Sequence, residues 1–383
     1  MAQSLLKRTP LFAAHEKLGA RLIEFGGWEM PVQYSSIVDE HLAVRRAGGL
    51  FDISHMGEVL VQGRAALEFL NRVLTNNAAK LAIGQGQYTL MCHERGGVID
   101  DLYLYRIAAQ EFLLIINASR IEPDVAWLEK QHAAFARSGN VQLRNASDEL
   151  GAVALQGPRV REFIDQCFQG PFAGGTAVPQ LSALKKNEIT LGQLNGQTIY
   201  IGCTGYTGED GFEIIAPARL IEGVWSNLLA IGHAYCLQPA GLGARDTLRI
   251  EACYPLYGNE LDEQTTPIEA SVGLFVALDK GEFIGRSVLA DQKAKGTTRK
   301  CVAFKMSDRS APPRPHYPIW SSGPDAAKVG EVVSGTQSPS LNIGVGLGYV
   351  PASMAKAGTA LEIEIRGKRA PAVVVPKPIY RKP

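Results

Sequence analysis

Four glycines at intervals of three, Gly202, Gly205, Gly208 and Gly211, constrain the local fold of this chain more than any other feature. Among and just after them stand one tyrosine and three carboxylates, and the segment ends in an apolar Phe-Glu-Ile-Ile run that predicts a strand. Glycine permits backbone conformations and close approaches that other residues cannot adopt. A loop with that freedom, carrying a ring and acids, suits a flat polar ligand better than it suits packing.

Length and composition indicate an ordinary globular chain. Its 383 residues are 46% hydrophobic and 20% charged, which is ample apolar material for large cores and suggests two or three domains. The net charge of +1 gives no case for nucleic-acid binding. The balance is uneven, however, because residues 291–383 carry 15 Lys+Arg and 6 Asp+Glu. That asymmetry indicates either a basic docking surface or simply a solvated face.

Cysteine usage and hydropathy predict a cytoplasmic protein without membrane contact. The six cysteines are scattered and form no C-x-x-C pair, which favours reduced thiols in a chain of this length. No apolar run approaches the roughly 20 residues that cross a bilayer. The first ten residues are too short and too polar for a signal peptide.

Periodicity predicts α+β architecture. Apolar residues at helical spacing predict helices over 63–74, 121–135 and 217–234, among many short strands with hairpin-like spacing. The polar segment 292–300 interrupts the pattern, and short strands separated by Gly, Pro and Ser follow it, which indicates a β-barrel or sandwich. We therefore expect one domain over 1–285, made of two intertwined subdomains, and a second over 286–383.

A second segment, residues 96–105, brings a carboxylate beside aromatic rings. In a strand, alternate side chains share a face, so Asp101, Tyr103 and Tyr105 lie opposite Leu102 and Leu104. A carboxylate in such a place can orient a ligand N–H. The simpler interpretation is a turn acid before an ordinary edge strand, and the residues alone favour it.

A third segment, residues 241–252, predicts a glycine turn that runs into a helix. Arg245 and Arg249 are four residues apart and share a helical face, where a guanidinium fork suits carboxylates. A surface ion pair between Asp246 and Arg249 explains the pattern equally well. The Gly-x-Gly here lacks the third glycine of a dinucleotide fingerprint, and no P-loop or nucleophile-elbow sequence occurs. The seven histidines show no metal-ligand spacing, so we expect no metal site.

These segments, in this order, resemble the aminomethyltransferase of the glycine cleavage system, its T-protein. The resemblance covers nearly the whole chain and is specific because many stretches match in sequence order. They are Thr9-Pro-Leu-Phe, Phe25 to Tyr34, Gly49 to Glu58, Gly84 to Leu90, Tyr254 to Leu261, Thr265 to Ala270, Ser334 to Leu341 and Gly346 to Val350.

The resemblance implies a chemistry and its partners. That family takes an aminomethyl group from the lipoyl arm of a carrier, the H-protein, and transfers its carbon to tetrahydrofolate. The products are 5,10-methylenetetrahydrofolate, ammonia and the dihydrolipoyl carrier. Tetrahydrofolate is a co-substrate and no metal is used. The basic C-terminal part would suit an acidic carrier, since complementary fields speed encounter. We expect a monomer or weak dimer.

The resemblance also assigns roles to residues. Asp101 matches the catalytic acid near the reacting folate nitrogens, and Glu213 the glutamate that binds the pterin edge. Tyr206 and Arg245 match its neighbours in the site. The remaining matched positions line the pocket, and they are Met56, Tyr88, Asn117 and Tyr380. The implied fold is a three-part cloverleaf, with two folate-binding parts of ferredoxin-like character and a C-terminal β-barrel.

The sequence departs from the family pattern at two places. Its tail reads Val375-Pro-Lys-Pro-Ile-Tyr380, whereas the tail of that family resembles Leu-Pro-Phe-Tyr. The match of Tyr380 to the family's tyrosine is therefore the least certain of these assignments. His316 stands where glycine is common, in a loop that we expect outside the site.

Three other functions compete with this interpretation. A folate-dependent demethylase of a small methylated substrate would use the same pocket without a carrier. A non-enzymatic folate-binding protein of the iron–sulfur assembly type would carry Lys-Gly-Cys-Tyr-x-Gly-Gln-Glu, but here Cys203 is followed by threonine. A flavin- or nicotinamide-linked oxidoreductase would need the dinucleotide fingerprint that is missing.

Overall fold

The computed structural model describes residues 6–382, a range that contains every predicted site residue. Residues 1–5, which are part of the N-terminus judged too polar for a signal peptide, lie outside the described range. The α-helices in this range are α1 Phe12–Lys17, α2 Ile37–Arg46, α3 Ala66–Val73, α4 Ile121–Ala133, α5 Ile164–Cys167, α6 Ala218–Gly232, α7 Leu242–Ala252 and α8 Arg286–Lys295.

Twenty strands, several of them short, lie between these helices and after them in the described range. They are β1 Arg21–Phe25, β2 Trp28–Gln33, β3 Gly48–Asp52, β4 Gly57–Gln62, β5 Gly86–Cys92, β6 Val98–Ala108, β7 Glu111–Ile116, β8 Gln142–Asn145, β9 Leu150–Gln156, β10 Gly174–Gly175, β11 Ile189–Leu194, β12 Gln197–Gly202, β13 Gly211–Pro217, β14 Leu237–Pro239, β15 Arg299–Met306, β16 Pro318–Ser321, β17 Lys328–Ser338, β18 Ile343–Pro351, β19 Ala360–Ile365 and β20 Lys368–Val375. The predicted helices and strands are thus present, with ends shifted by a few residues.

Two large sheets precede the barrel. One has seven strands in the order β10-β11-β12-β13-β9-β3-β14, and the other has five in the order β5-β6-β7-β4-β8. Strands β1 and β2 form a separate hairpin. The described pairings in these sheets are antiparallel except that of β3 with β14. Helices beside antiparallel sheets define an α+β fold, as predicted.

Helix α6 shows why the seven-stranded sheet is stable. Its buried residues Ile221, Val224, Trp225 and Leu228 follow the i, i+3, i+4, i+7 spacing of one helical face. This stripe belongs to the core cluster that also contains Phe212 and Ile214 of β13. Strand β13 is therefore held rigidly from one side, and that matters because it carries Glu213.

The C-terminal strands close into a barrel, in the order β15-β18-β17-β16-β19-β20. Strand β19 illustrates the alternation that this requires. Leu361, Ile363 and Ile365 are buried, whereas the residues between them are not. The inward side chains form one apolar cluster with Phe304 and Ile319, so the predicted β-barrel is confirmed.

The chain divides into two compact units. The first comprises the described parts of Met1–Val73, Asn77–Thr89 and Leu102–Arg245, and the second comprises those of Leu74–Asn76, Leu90–Asp101 and Asp246–Pro383. The boundary at 285/286, the ferredoxin-like character of two subdomains and the cloverleaf arrangement stay predictions.

His316 adopts a left-handed backbone conformation, which glycine adopts more readily than a residue with a side chain. Its φ of 70° lies in the left-handed region, which costs a side chain more than it costs glycine. The exposed imidazole Nδ1 lies 2.9 Å from a carboxylate oxygen of Glu331. This contact helps to hold a residue that the local backbone disfavours.

Candidate active site

Glu213 lies on strand β13 between two residues that have little or no side chain. Its Cα partners are Gly202 on β12 and Ala154 on β9. The face that carries the carboxylate is therefore uncrowded, because cross-strand neighbours share a face. A Cβ at Gly202 would lie 2.5 Å from the hydroxyl of Tyr105, so only glycine lets that ring approach. The half-buried Glu213 carboxylate is left accessible to a ligand beside an aromatic hydroxyl.

Gln156 holds the glycine loop between β12 and β13 in place. Its Nε2 donates to the carbonyl of Thr204 at 3.0 Å, and its Oε1 accepts from the hydroxyl of Thr207 at 2.8 Å. A methyl group at Gly205 or Gly211 would collide with this same amide. The glycine spacing is thus explained by a close approach between the loop and one buried side chain.

Arg45 makes a second anchor for the loop. Its Nη1 donates to the carbonyl of Thr207 and to a carboxylate oxygen of Glu209, both at 2.8 Å. The two side chains of this ion pair are only 5% and 2% exposed. The loop is consequently a fixed wall of the site and not a mobile flap.

Arg245 of α7 joins the glycine loop electrostatically to β13. Its guanidinium carbon lies 4.8 Å from the centroid of the Tyr206 ring, within the range of a cation–π contact. Burial raises the pKa of Glu213, and the positive charge of Arg245 opposes that rise. Nη1 of Arg245 is buried and has no hydrogen-bond partner among residues 6–382. The cluster therefore keeps a charged donor available.

Tyr103 and Tyr105 stand on β6, two residues apart, with ring centroids 4.8 Å from each other. Tyr105 is fully buried, and burial together with the nearby Tyr103 and Glu213 raises the pKa of its phenol well above the ordinary value. The phenol therefore stays protonated and can donate. The predicted shared face of these rings is confirmed by their register, since Tyr103 pairs with Ile115 and Tyr105 with Leu113.

The sequence analysis did not predict a buried polar network around Asp52. One carboxylate oxygen of Asp52 accepts from the Thr9 hydroxyl at 2.7 Å and lies 2.9 Å from Nε2 of His15. Nδ1 of His15 lies 2.9 Å from the Tyr34 hydroxyl, and the Ser54 N–H donates to the other Asp52 oxygen. Burial alone would raise the pKa of Asp52, but the hydrogen bonds from His15, Thr9 and Ser54 outweigh it and lower that pKa.

This network fixes the turn that leads to Met56. His55 follows Asp52 by three residues and is buried, and burial lowers the pKa of its imidazole to about 4. Its Nδ1 has no hydrogen-bond partner in the described part of the chain. The imidazole is neutral at pH 7. The Met56 N–H donates to the carbonyl of Ile53 at 3.0 Å, which closes the turn.

The other predicted pocket residues lie at or beside strand ends. Met56 directly precedes β4, Asn117 directly follows β7, and Tyr88 stands on β5, and all three are half-buried. All three belong to the first unit, as do Glu213, Tyr206 and Arg245.

Asp101 and Tyr380 belong to the second unit. Asp101 is buried on β6, and the backbone N–H of Tyr380 donates to the carbonyl of Glu251 at 3.0 Å. Their positions relative to Glu213 stay predictions.

Arg249 has a structural role. It donates to Asp246 and Glu260 at 2.8 Å and to the Ser334 hydroxyl at 2.7 Å. The proposed ion pair with Asp246 therefore exists, but the guanidinium is only 1% exposed and does not lie at the surface. Burial with several partners makes it a link between α7 and the barrel strand β17.

One cavity of the described chain lies apart from this cluster. An open cavity of about 460 Å³ is lined by residues of β4, α4 and β8 and contains none of the predicted site residues. Over residues 6–382 there is no group of three or more His, Cys, Asp and Glu side chains suited to a metal ion. No helix in the same range has the length and apolar character that a membrane span requires.

Comparison with known proteins now identifies the class. Two family models match, described as the GCVT N-terminal domain, over residues 11–280, and the glycine cleavage T-protein C-terminal barrel domain, over residues 299–381. An aminomethyltransferase of Symbiobacterium thermophilum is 47% identical over 383 residues, covering 99% of this chain and 98% of that protein. One from Geobacillus kaustophilus is 45% identical over 380 residues, covering 99% and 100%.

The fold agrees with a solved structure. The crystal structure of glycine cleavage system aminomethyltransferase T from Bartonella henselae superposes with a TM-score of 0.89 at 34% identity, covering 99% of both chains. Fold and sequence together define an α+β group-transfer enzyme with a C-terminal barrel. The chain belongs to the glycine cleavage T-protein family and is an aminomethyltransferase of the glycine cleavage system.

Substituting Gly211→Ala tests the packing of the glycine loop. The added methyl meets the Gln156 amide and the carbonyl of Leu155, so we expect a loss of about 1–3 kcal/mol in unfolding free energy. Thermal unfolding of the variant and the parent chain measures this loss of stability. The control is Gly223→Ala on α6, where nothing lies within 4 Å and helix propensity predicts a gain of roughly 0.5–1 kcal/mol. Equal stability of Gly211→Ala and the parent chain would contradict the close approach.

Substituting Asp52→Asn tests the buried network through pH. Because the folded pKa is lowered, the stabilisation is present above the unfolded value of about 3.9 and is lost as pH falls through the folded pKa. We expect the variant to be less stable by about 1–3 kcal/mol at pH 7. The difference in unfolding free energy between the variant and the parent chain, measured by urea unfolding, should narrow below about pH 4. The exposed Asp148→Asn is the control, and a gap independent of pH would argue against a charged Asp52.

Proposed function

We propose that this chain transfers the methylene carbon of an aminomethyl group, held on the lipoyl arm of the H-protein, to tetrahydrofolate. The observation that carries the proposal is Glu213, an acid with uncrowded strand neighbours and with Arg245 and Tyr105 close by. Membership of the glycine cleavage T-protein family supplies the reaction class.

Glu213 is suited to the edge of a pterin ring. A reduced pterin presents its N3–H and 2-amino group side by side, and one carboxylate accepts both as a charged bidentate pair. Arg245 favours the ionised state of Glu213 against the effect of burial. The half-buried Tyr206 ring beside Arg245 supplies a flat apolar surface for the same pterin ring.

Asp101 is the acid that we assign to the reacting end of the folate. It would orient N5 and N10 and manage the proton there, so that N5 attacks the methylene carbon. Met56, Tyr88, Asn117 and Tyr380 would line the pocket, with the Asn117 amide adding a hydrogen bond.

The net reaction needs no oxidant or metal. The carbon–sulfur and carbon–nitrogen bonds of the aminomethyl group break, and bonds from the carbon to N5 and N10 form. The two hydrogens lost from these nitrogens leave on the lipoyl sulfur and on the departing amine. The products are therefore the dihydrolipoyl carrier, ammonium and 5,10-methylenetetrahydrofolate.

The carrier is expected to approach the basic part of the chain. Residues 291–383 have a net charge of +9, and complementary fields would speed the encounter with an acidic H-protein. All six cysteines are free, which supports a reducing, cytoplasmic compartment. We propose a monomer or weak dimer that binds neither nucleic acid nor membrane. The full-length match to aminomethyltransferases disfavours the demethylase and the non-enzymatic alternatives.

Two substitutions separate binding from chemistry. Glu213→Ala removes a charged bidentate contact worth about 1.5–3 kcal/mol, so we expect tetrahydrofolate affinity to fall roughly 10- to 150-fold. Asp101→Asn should lower turnover by two or more orders of magnitude, the typical range for general acid–base catalysis of about 10²–10⁴, with affinity nearly unchanged.

The assay supplies aminomethylated lipoyl carrier and tetrahydrofolate, and measures ammonia and methylenetetrahydrofolate. Isothermal titration measures the folate affinity. Glu222→Ala, an exposed acid on α6, is the matched control and should behave as the parent chain. Unchanged folate affinity in Glu213→Ala would refute the assigned pterin contact, and absence of ammonia from the parent chain would refute the function.

A further inference from the structure

Glu58 on strand β4 is a buried acid that the predicted site does not use. The residue is 1% exposed, and neither carboxyl oxygen has a hydrogen-bond partner among residues 6–382. Its backbone is satisfied, since its N–H donates to the Ser147 hydroxyl at 3.1 Å and its carbonyl accepts from Ala146 at 2.8 Å. Only the side chain is left without a partner, an arrangement that natural proteins keep rarely.

The surroundings of Glu58 offer its carboxyl no hydrogen-bond partner in the described part of the chain, and its burial favours the neutral form. Burial raises the pKa of its carboxyl well above the ordinary range, and no nearby charge opposes that effect. It differs in this from Glu213, which has Arg245 as a resident cation. A neutral carboxyl without a cation can ionise when a cation arrives.

The sheet register places Glu58 on the face that carries the two site tyrosines. Glu58 pairs with Ile115 of β7, and Ile115 pairs with Tyr103 of β6. These three residues form one row on one face, so Glu58 lies two strands, roughly 10 Å, from Tyr103. The next row on the same face ends in Tyr105, which lies at Gly202 beside Glu213.

We propose that Glu58 binds the amine end of the aminomethyl substrate and the ammonium ion that leaves it. The inference rests on the proposed function. Of the two substrates, the amine is the cationic group, whereas the glutamate tail of the folate is anionic. An acid without a resident cation attracts the first and, once ionised, repels the second.

The charge balance of this binding step is simple. The neutral carboxyl loses its proton to solvent as the ammonium group arrives, and a carboxylate–ammonium pair forms in its place. A buried pair of opposite charges replaces a lone neutral acid, and the cation keeps its hydrogens as donors to the two oxygens that lack partners. Release of ammonium restores the neutral acid.

The reverse reaction tests this most directly, because ammonium is then a substrate of variable concentration. Methylenetetrahydrofolate, dihydrolipoyl carrier and ammonium chloride are supplied, and formation of tetrahydrofolate is followed. Glu58→Gln keeps the shape but cannot ionise, so we expect the KM for ammonium to rise roughly 10- to 100-fold. The KM values for the folate and the carrier should stay unchanged.

Two further variants keep the test decisive. Glu58→Leu needs no hydrogen-bond partner at this buried position, so it should fold even if the glutamine variant does not, with the same rise in ammonium KM. Glu111→Gln, an exposed acid on the neighbouring strand β7, should leave every KM unchanged. An ammonium KM equal to that of the parent chain, or a rise in the folate KM instead, would overturn the proposal.

Infrared difference spectroscopy separates this inference from the proposed function. Ammonium chloride added to the parent chain should remove the carbonyl band of a protonated carboxylic acid, whereas potassium chloride should not. Glu58→Leu should lack the band. If the parent chain turns over no folate but loses this band, the proposed function fails and Glu58 remains a cation site. If the band persists in saturating ammonium, the assignment of Glu58 fails even if turnover is normal.

Discussion

The small size of the two residues that flank Glu213 is the constraint on which this site depends. Gly202 and Ala154 flank the acid on neighbouring strands, and Gly202 lets the Tyr105 hydroxyl approach. Glycine is also required in the loop, because Gly205 and Gly211 lie directly against the Gln156 amide. Packing of α6 on the sheet holds β13 in place, so that a carboxylate can stay near an arginine and two phenols.

Three acids of the first unit, the buried Asp52 and Glu58 and the half-buried Glu213, differ in what offsets the effect of burial on the carboxyl pKa. Hydrogen bonds from His15, Thr9 and Ser54 lower the pKa of Asp52 despite its burial, and the result is a fixed structural charge. The field of Arg245 only partly opposes burial at Glu213, which leaves an acid that still has bonding capacity. Glu58 has neither a hydrogen-bond donor nor a cation beside its carboxyl among the described residues, so burial raises its pKa without opposition and favours the neutral form. These differences agree with a structural role for Asp52 and with the roles that we propose for Glu213 in ligand binding and for Glu58 in cation binding.

Local patterns in the sequence predicted much of the fold but little of the support under the site. The stripe of α6, the alternation of β19 and the shared face of Tyr103 and Tyr105 depend on residues close in the chain, so periodicity was enough. Gln156, Arg45 and the contact of Thr9 with Asp52 join residues 43 to 162 positions apart. No pattern in the sequence marks such pairs. The burial of Arg249 and Glu58 could not be predicted either, because it also depends on residues far away in the chain.

One measurement tests the central claim most directly, a crystal structure of the protein soaked with tetrahydrofolate. The account predicts that both carboxylate oxygens of Glu213 accept hydrogen bonds from the pterin N3–H and 2-amino group, with Asp101 at the N5 and N10 end of the same molecule. A pterin bound with its amino edge away from Glu213, or a folate found nowhere near β13, would contradict it.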